Sequence, residues 1–464
     1  MKKIFTCMAL AMSISAALAD DAPMSVVSSL YDQSNTSTLG LSAAPGTETV
    51  TIFAPTSSTN QFSNGVVMTA FKGDLYCMWQ SSATDEDATD TWVAYSRSTD
   101  GGATWSQPME LCPTISSGYC SSGGWIATDD ELVAFINTWP SNLSNGGGYT
   151  RYMSSTDGLT WTTPADVTMA DGSTLNGIFE QDPHVLPGGR IVNAAHFQPG
   201  LHVCPIYTDD PTGKTGWKKG TFSYTDNGTQ SRELEPSMYR KSDGTLVMIF
   251  RDQNSTYYKM AASSADNGET WTKAAVTNFP DSRSKQSAGN LSDGKPFIAS
   301  NPVNNKLRIP LVLTLSNDGG TVFDEAYLLR SNDDIQALRF SGKAKRAGYH
   351  YPKSLVYGDY VYVSYATNKE DVQYTRVPVS SISGIETVRM GGKLHLTVGD
   401  DRQLFVETGG GSATVEIFAL SGAKAASATV DSGGSIDLSG CTKGTYIIKV
   451  KTDRETVSKT VMMR

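Results

Sequence analysis

The sequence predicts an all-β chain, a six-bladed β-propeller followed by a small C-terminal β-sandwich-like module. Three observations carry that expectation: a recurring turn phrase, the scarcity of helical periodicity, and a change of pattern near residue 381. The phrase has the form Ser-x-Asp-x-Gly-x-Thr-Trp. It occurs as Ser98–Trp105 and Ser264–Trp271, one residue shorter as Ser155–Trp161, more loosely as Ser316–Phe323, and in degenerate form as Thr208-Asp209-Asp210 with Gly216-Trp217. With Asp100, Asp157, Asp210, Asp266 and Asp318 as anchors, the intervals are 57, 53, 56 and 52 residues. Such a period marks stacked units that cannot bury their apolar faces alone. Within each phrase Asp hydrogen-bonds the backbone ahead of it, Gly takes positive φ, and Trp returns to cover the turn.

The first element is a processing signal. Lys2 and Lys3 form a basic end, Ile4 to Ala16 is largely apolar, and Ala17-Leu18-Ala19 fits small-residue cleavage. Residues 1–19 are therefore expected to be removed, 20–382 to form the propeller and 383–464 the terminal module. The apolar stretch is too short to anchor the chain across a bilayer.

The propeller reading rests on short β-rich runs bounded by Gly, Asn, Asp and Ser, such as Val66–Phe71, Leu75–Trp79, Leu132–Thr138, Leu246–Phe250, Leu311–Leu315 and Tyr360–Tyr365. Four such runs per period of about 50 residues make a propeller blade. Inner strands are expected to open near Asn64, Gly124, Glu180, Glu235, Asn301 and Tyr351, with a strand before Phe62 closing the ring. In the last element, Gly409–Gly411 and Gly433-Gly434 punctuate alternating strands and the turn phrase is missing.

The net charge of −9, without a basic run, argues against nucleic acid and anionic membrane partners. The expected partner is a glycan, with the chain acting as a monomer. Five cysteines remain beyond residue 19, and no pair has metal-ligand spacing. Cys112 and Cys120 are placed to close a short loop in an oxidising compartment, the alternative being buried free thiols.

The five Asp-turns resemble the Asp-box repeats of the sialidase (neuraminidase) superfamily over about residues 55 to 380. The resemblance implies boxes on the outer rim, away from a central pocket. The terminal module resembles the sorting domain of the type IX secretion system. It does so in Val415-Glu416-Ile417-Phe418-Ala419-Leu420-Ser421-Gly422, in Ile436-Asp437-Leu438-Ser439-Gly440, and in Gly444-Thr445-Tyr446-Ile447-Ile448-Lys449-Val450. This implies export across an outer membrane by that machinery, to the medium or the cell surface. A carbohydrate-binding appendage is the rival reading.

The resemblance also assigns roles. In Glu233-Leu234-Glu235-Pro236-Ser237, followed by Phe250-Arg251, Glu235 matches the residue that opens an inner strand and Arg251 a pocket arginine. Arg308, after Asn301-Pro302, matches a further pocket arginine. Tyr351 matches the nucleophile, and Tyr349 takes its place if the alignment slips by two. A phenol with an ordinary pKa of about 10 needs help to attack an anomeric carbon, and a carboxylate in hydrogen-bond reach gives it. Tyrosine in place of the usual carboxylate nucleophile suits a substrate carrying its own carboxylate, which arginines hold by a two-point fork. The acid is expected in the loop Asp85-Glu86-Asp87-Ala88-Thr89-Asp90, with Asp87 chosen and Asp85 and Asp90 as rivals.

One departure stands out. Where active sialidases carry an Arg-Ile-Pro-like phrase, this chain reads Phe62-Ser63-Asn64-Gly65-Val66-Val67. Asn64 therefore takes the place of the central arginine in the substrate site, joined by Glu180 and His184 from the third blade. His196, His202 and His350 also fall near inner strands. A His/Tyr pair beside arginines would suit proton abstraction next to a uronic acid carboxylate. The sequence thus leaves open a sialidase-like hydrolase, a uronic-acid polysaccharide lyase and a non-catalytic glycan-binding propeller. No metal or cofactor is expected.

Overall fold

The computed structural model of the chain describes residues 22–463 except 144–145, 181–182, 384–385, 391–393, 399–402, 409–410, 420–421, 443 and 453–455. The expected processing signal lies outside the described residues. Between residues 48 and 378 the strands assemble into six antiparallel sheets. Their innermost strands are Phe62–Phe71, Tyr119–Ala127, the broken pair Gly177–Phe179 and His184–Val185, Glu233–Arg240, Ser287–Asn290 and Tyr349–Tyr357. They touch in sequence around the ring, except that the third blade meets the fourth inner strand through its second strand, Ile191–Phe197.

Neighbouring blades cover one another's faces, so their strands read as apolar runs rather than strict alternation. Between the first two blades Val67, Met78 and Tyr95 pack on Trp125, Leu132 and Ala134. Between the third and fourth, Val192, Ala194 and Val203 meet Met248, Phe250 and Met260. The ring is closed by Glu48–Phe53, which pairs antiparallel with Asp371–Pro378 as the outer strand of the sixth blade.

The Asp-turns join third strand to fourth and form as their residue types dictate. Asp100 accepts hydrogen bonds from the Thr104 hydroxyl at 2.6 Å and its N–H at 2.9 Å. Gly102 takes φ 93°, and the Trp105 indole N–H donates back to the Gly102 carbonyl at 3.2 Å. The degenerate copy is a complete turn as well, with Asp210 accepting from Thr212 and Thr215 and Trp217 bonded to Gly213.

The fifth blade corrects the sequence reading. Asn301 follows the second strand, Pro296–Ser300, and the inner strand is Ser287–Asn290. The polar run Ser282-Arg283-Ser284-Lys285-Gln286 before it has no apolar pattern, yet all but Arg283 are buried. Their burial comes from the neighbouring blades, which a local pattern cannot register.

Beyond residue 383 two four-stranded antiparallel sheets form. They share a core of Leu404, Val406, Val415, Ile417, Ile436, Ile448 and Val450. Cys112 and Cys120 face each other as thiols, Sγ to Sγ 4.0 Å.

Candidate active site

The inner strands begin irregularly. Register shifts fall between Asn64 and Val67, Leu234 and Ser237, and His350 and Lys353. The extra residue takes positive φ in each: Gly65 at 61°, Glu235 at 49° and Tyr351 at 54°. Bulges of this kind re-aim side chains. Pro236 and Pro352 follow two of them and have no N–H to give the ladder. Left-handed backbone at a glutamate and a tyrosine costs on the order of 1–3 kcal/mol each and persists only where the surroundings hold it.

Around Tyr351 the structure gathers a ring of cations. The Arg308 guanidinium lies 4.4 Å from the ring centroid, Lys285 Nζ 5.2 Å and Lys369 Nζ 5.6 Å. Arg308 Nη2 donates to the Tyr351 hydroxyl at 3.4 Å, while its Nη1 is 2.9 Å from His350 Nδ1. His350 Nε2 lies 3.0 Å from the Arg346 carbonyl. That carbonyl accepts and the guanidinium donates, so His350 carries its proton on Nε2. Burial, reinforced by Arg308, pushes its pKa well below the usual imidazole value, and both ring nitrogens are engaged.

Each nearby glutamate holds a cation. Arg251 Nη1 donates to Glu235 at 3.0 Å, Lys285 pairs with Glu180, and Lys369 pairs with Glu86. Burial would raise the Glu180 carboxyl, but Lys285 and His196 reverse that and hold it below the carboxylate range. Arg251 and Lys285 each lie within electrostatic range of both Glu235 and Tyr351.

The acidic loop divides its labour. Asp90 accepts from the Ala83 N–H and Asp85 from the Lys343 N–H, so both rivals pin the loop. Asp87, exposed and at φ 60°, has its carboxyl raised by desolvation from the groups packed around it and by Glu86, against a hydrogen bond from Tyr119. Tyr119 stacks on Trp139, with centroids 5.6 Å apart and planes at 13°.

Tyr351, Glu235, Arg251, Arg308 and Glu180 are thus brought together. Asn64 joins them through Glu86, to which its Nδ2 donates at 3.2 Å. His184 is not brought to this group. It pairs with Val192 towards the other end of its blade and lines a different cavity, of about 880 Å³, with Met238, Arg240 and Asn290. Tyr349 is buried, its hydroxyl bonded to the Ser331 carbonyl at 2.8 Å. Glu86, Lys285 and Lys369 were missed by sequence reasoning. Lys285 stands two residues before the true fifth inner strand, so correct placement of that strand would have found it. Lys369 sits in Thr367-Asn368-Lys369-Glu370, which reads as a solvated hairpin.

Residues 73–363 match the BNR repeat-like domain family, and residues 400–464 match the secretion system C-terminal sorting domain. Solved structures of the same fold include a protein of unknown function from Dyadobacter fermentans, 16% identical with TM-score 0.57, covering 72% of this chain and 99% of that one. The intramolecular trans-sialidase from Ruminococcus gnavus is 14% identical with TM-score 0.53, covering 74% and 99%. The Trypanosoma rangeli sialidase is 11% identical with TM-score 0.54, covering 90% and 89%. No curated protein matches the chain. The sorting domain directs export, to the cell surface or beyond it, and no described helix is long and apolar enough to cross a membrane. By the match over most of its propeller, the chain belongs to the BNR repeat-like family, built on the sialidase-type fold and ending in a secretion sorting domain.

Proposed function

We propose that the chain is a sialidase-like exo-glycoside hydrolase acting on sialic acid or a related acidic sugar. One observation carries this reading: Tyr351 stands among Arg308, Lys285 and Lys369, with the Glu235–Arg251 pair beside it. Cations so placed suit a substrate with a carboxylate next to the reacting carbon. In the proposed reaction the Tyr351 oxygen bonds to the anomeric carbon and its proton passes to Glu235. The glycosidic bond breaks, and the leaving oxygen takes a proton from Asp87. Water then attacks the same carbon and gives a proton to Asp87, and the phenol leaves with its proton returned. A raised Asp87 carboxyl favours the acid role, because it stays protonated to higher pH.

The lyase reading gains nothing from His350, whose two nitrogens are both committed. A fluorogenic sialoside assayed beside a panel of neutral glycosides tests the proposal. Release of fluorophore from the sialoside alone is expected, and release from neutral glycosides only would overturn it.

A further inference from the structure

We infer that Lys369 provides the positive charge that the opening of the first inner strand lacks, and that it makes the site selective for a sugar carboxylate; this rests on the acidic-sugar reading above. The opening of the first inner strand, Phe62-Ser63-Asn64-Gly65, offers no cation of its own. Asn64 is neutral, and its Oδ1 is buried without a partner. Gly65 has no room for a side chain, since a Cβ there would stand 2.5 Å from Ser122 Oγ.

Lys369 enters this gap from the sixth blade. Its carbonyl accepts the Ser63 N–H at 3.0 Å, which lays the two segments side by side. Its ammonium binds the same Glu86 oxygen that Asn64 Nδ2 reaches, 5.7 Å from the Phe62 ring centroid and 5.6 Å from that of Tyr351. The side chain is 3% exposed.

The backbone is bent to put it there. Asn368 and Lys369 take φ 60° and 57° in succession, an arrangement non-glycine residues rarely adopt. Asn368 holds the bend with its side chain, accepting from the Gly348 N–H at 3.1 Å and donating to the Gln336 carbonyl at 2.8 Å. An ammonium has three donors, so Lys369 can keep Glu86 and bind a second carboxylate. Arg308, whose side-chain partners are His350 and the Tyr351 hydroxyl, faces the same ring and would take that carboxylate from the other side.

The test compares binding of N-acetylneuraminate and glucuronate with binding of their uncharged methyl esters, by calorimetry on the exported chain. The wild type is expected to prefer acid over ester for at least one of the two sugars. Lys369→Met should reduce that preference at least ten-fold, and Asn64→Arg added to Lys369→Met should restore most of it, which a structural role alone would not allow. Should Lys369→Met fail to fold, Glu86→Gln reads the same contact. Freed from Glu86, the ammonium should bind the acid several-fold more tightly. An acid preference unchanged in Lys369→Met, weaker acid binding in Glu86→Gln, or no acid preference in the wild type would each overturn the inference. Acid binding that depends on Lys369 without turnover of any sialoside would sink the hydrolase reading and leave this one standing. Turnover indifferent to Lys369 would do the reverse.

Discussion

The two ends of the propeller are made from the same strands and could hardly differ more. At the end where inner strands begin, backbone is bent against its preference at Glu235 and Tyr351, and the Lys285–Glu180 and Lys369–Glu86 pairs cross between blades. At the end carrying the Asp-turns, a turn such as Ser98–Trp105 makes most of its hydrogen bonds within its own eight residues, with one bond from the Tyr374 hydroxyl of the sixth blade to the Gly102 carbonyl. One end is assembled by the ring, and the other assembles locally. Strain and cross-blade charge distinguish the first end, where the proposed site lies, and largely local hydrogen bonding distinguishes the second.

Substitutions that separate the ends sharpen this contrast. The largest effect is expected from Tyr351→Phe, which should lower sialoside turnover by about 10³-fold or more. Ligand binding and thermal midpoint should change little, because only a hydroxyl held at 3.4 Å is lost. Turnover within a few-fold of wild type would remove Tyr351 from the reaction. Asp87→Asn comes next, with a loss of about 10²–10⁴-fold on sugars with poor leaving groups and a smaller loss on activated aryl glycosides. The wild type should lose activity as pH rises through the Asp87 pKa, and that alkaline limb should vanish in the variant. A limb retained in Asp87→Asn would reassign the acid.

Gly102→Ala strikes the opposite end. A Cβ there would stand 2.4 Å from the Tyr374 hydroxyl, at φ 93°. A destabilisation of about 1–3 kcal/mol is expected by chemical denaturation, with turnover per folded molecule unchanged. Reduced kcat at full folding would show that the two ends are coupled.

The smallest effect is electrostatic. Hydrogen bonds from the Thr104 hydroxyl and N–H hold the Asp100 carboxyl at about 2, against an ordinary value of about 3.9. A carboxyl lowered in the folded state stabilises the fold above its unfolded pKa, and that contribution is lost as pH falls through the folded value. The melting temperature should therefore decline between about pH 4 and pH 2, less steeply in Asp100→Asn. Parallel curves would mean that Asp100 adds nothing to acid resistance.

The same division explains what could be read without coordinates. The Asp-turns were legible because Asp, Gly, Thr and Trp act on one another within a few residues. Even the copy with Trp217 at a different spacing carried enough of that chemistry. Glu235 and Tyr351 were singled out by the resemblance of their strand openings to those of sialidases, and both fall near the start of inner strands. Lys285, Lys369 and Glu86 were not, since local pattern gives them to solvent and only packing between distant blades buries them. The fifth inner strand was misplaced for the same reason: Asn301-Pro302 has the look of an opening, whereas the true one is a polar run.

The seam between the first and sixth blades has a temporal meaning. Glu48–Phe53 finds its partner only at Asp371–Pro378, more than three hundred residues later. Glu86 and Asn64 likewise meet Lys369 across that join. Nearly the whole propeller segment must therefore be synthesised before these groups can assemble. A chain cut before Asp371 would lack both the partner of Glu48–Phe53 and the far side of this join.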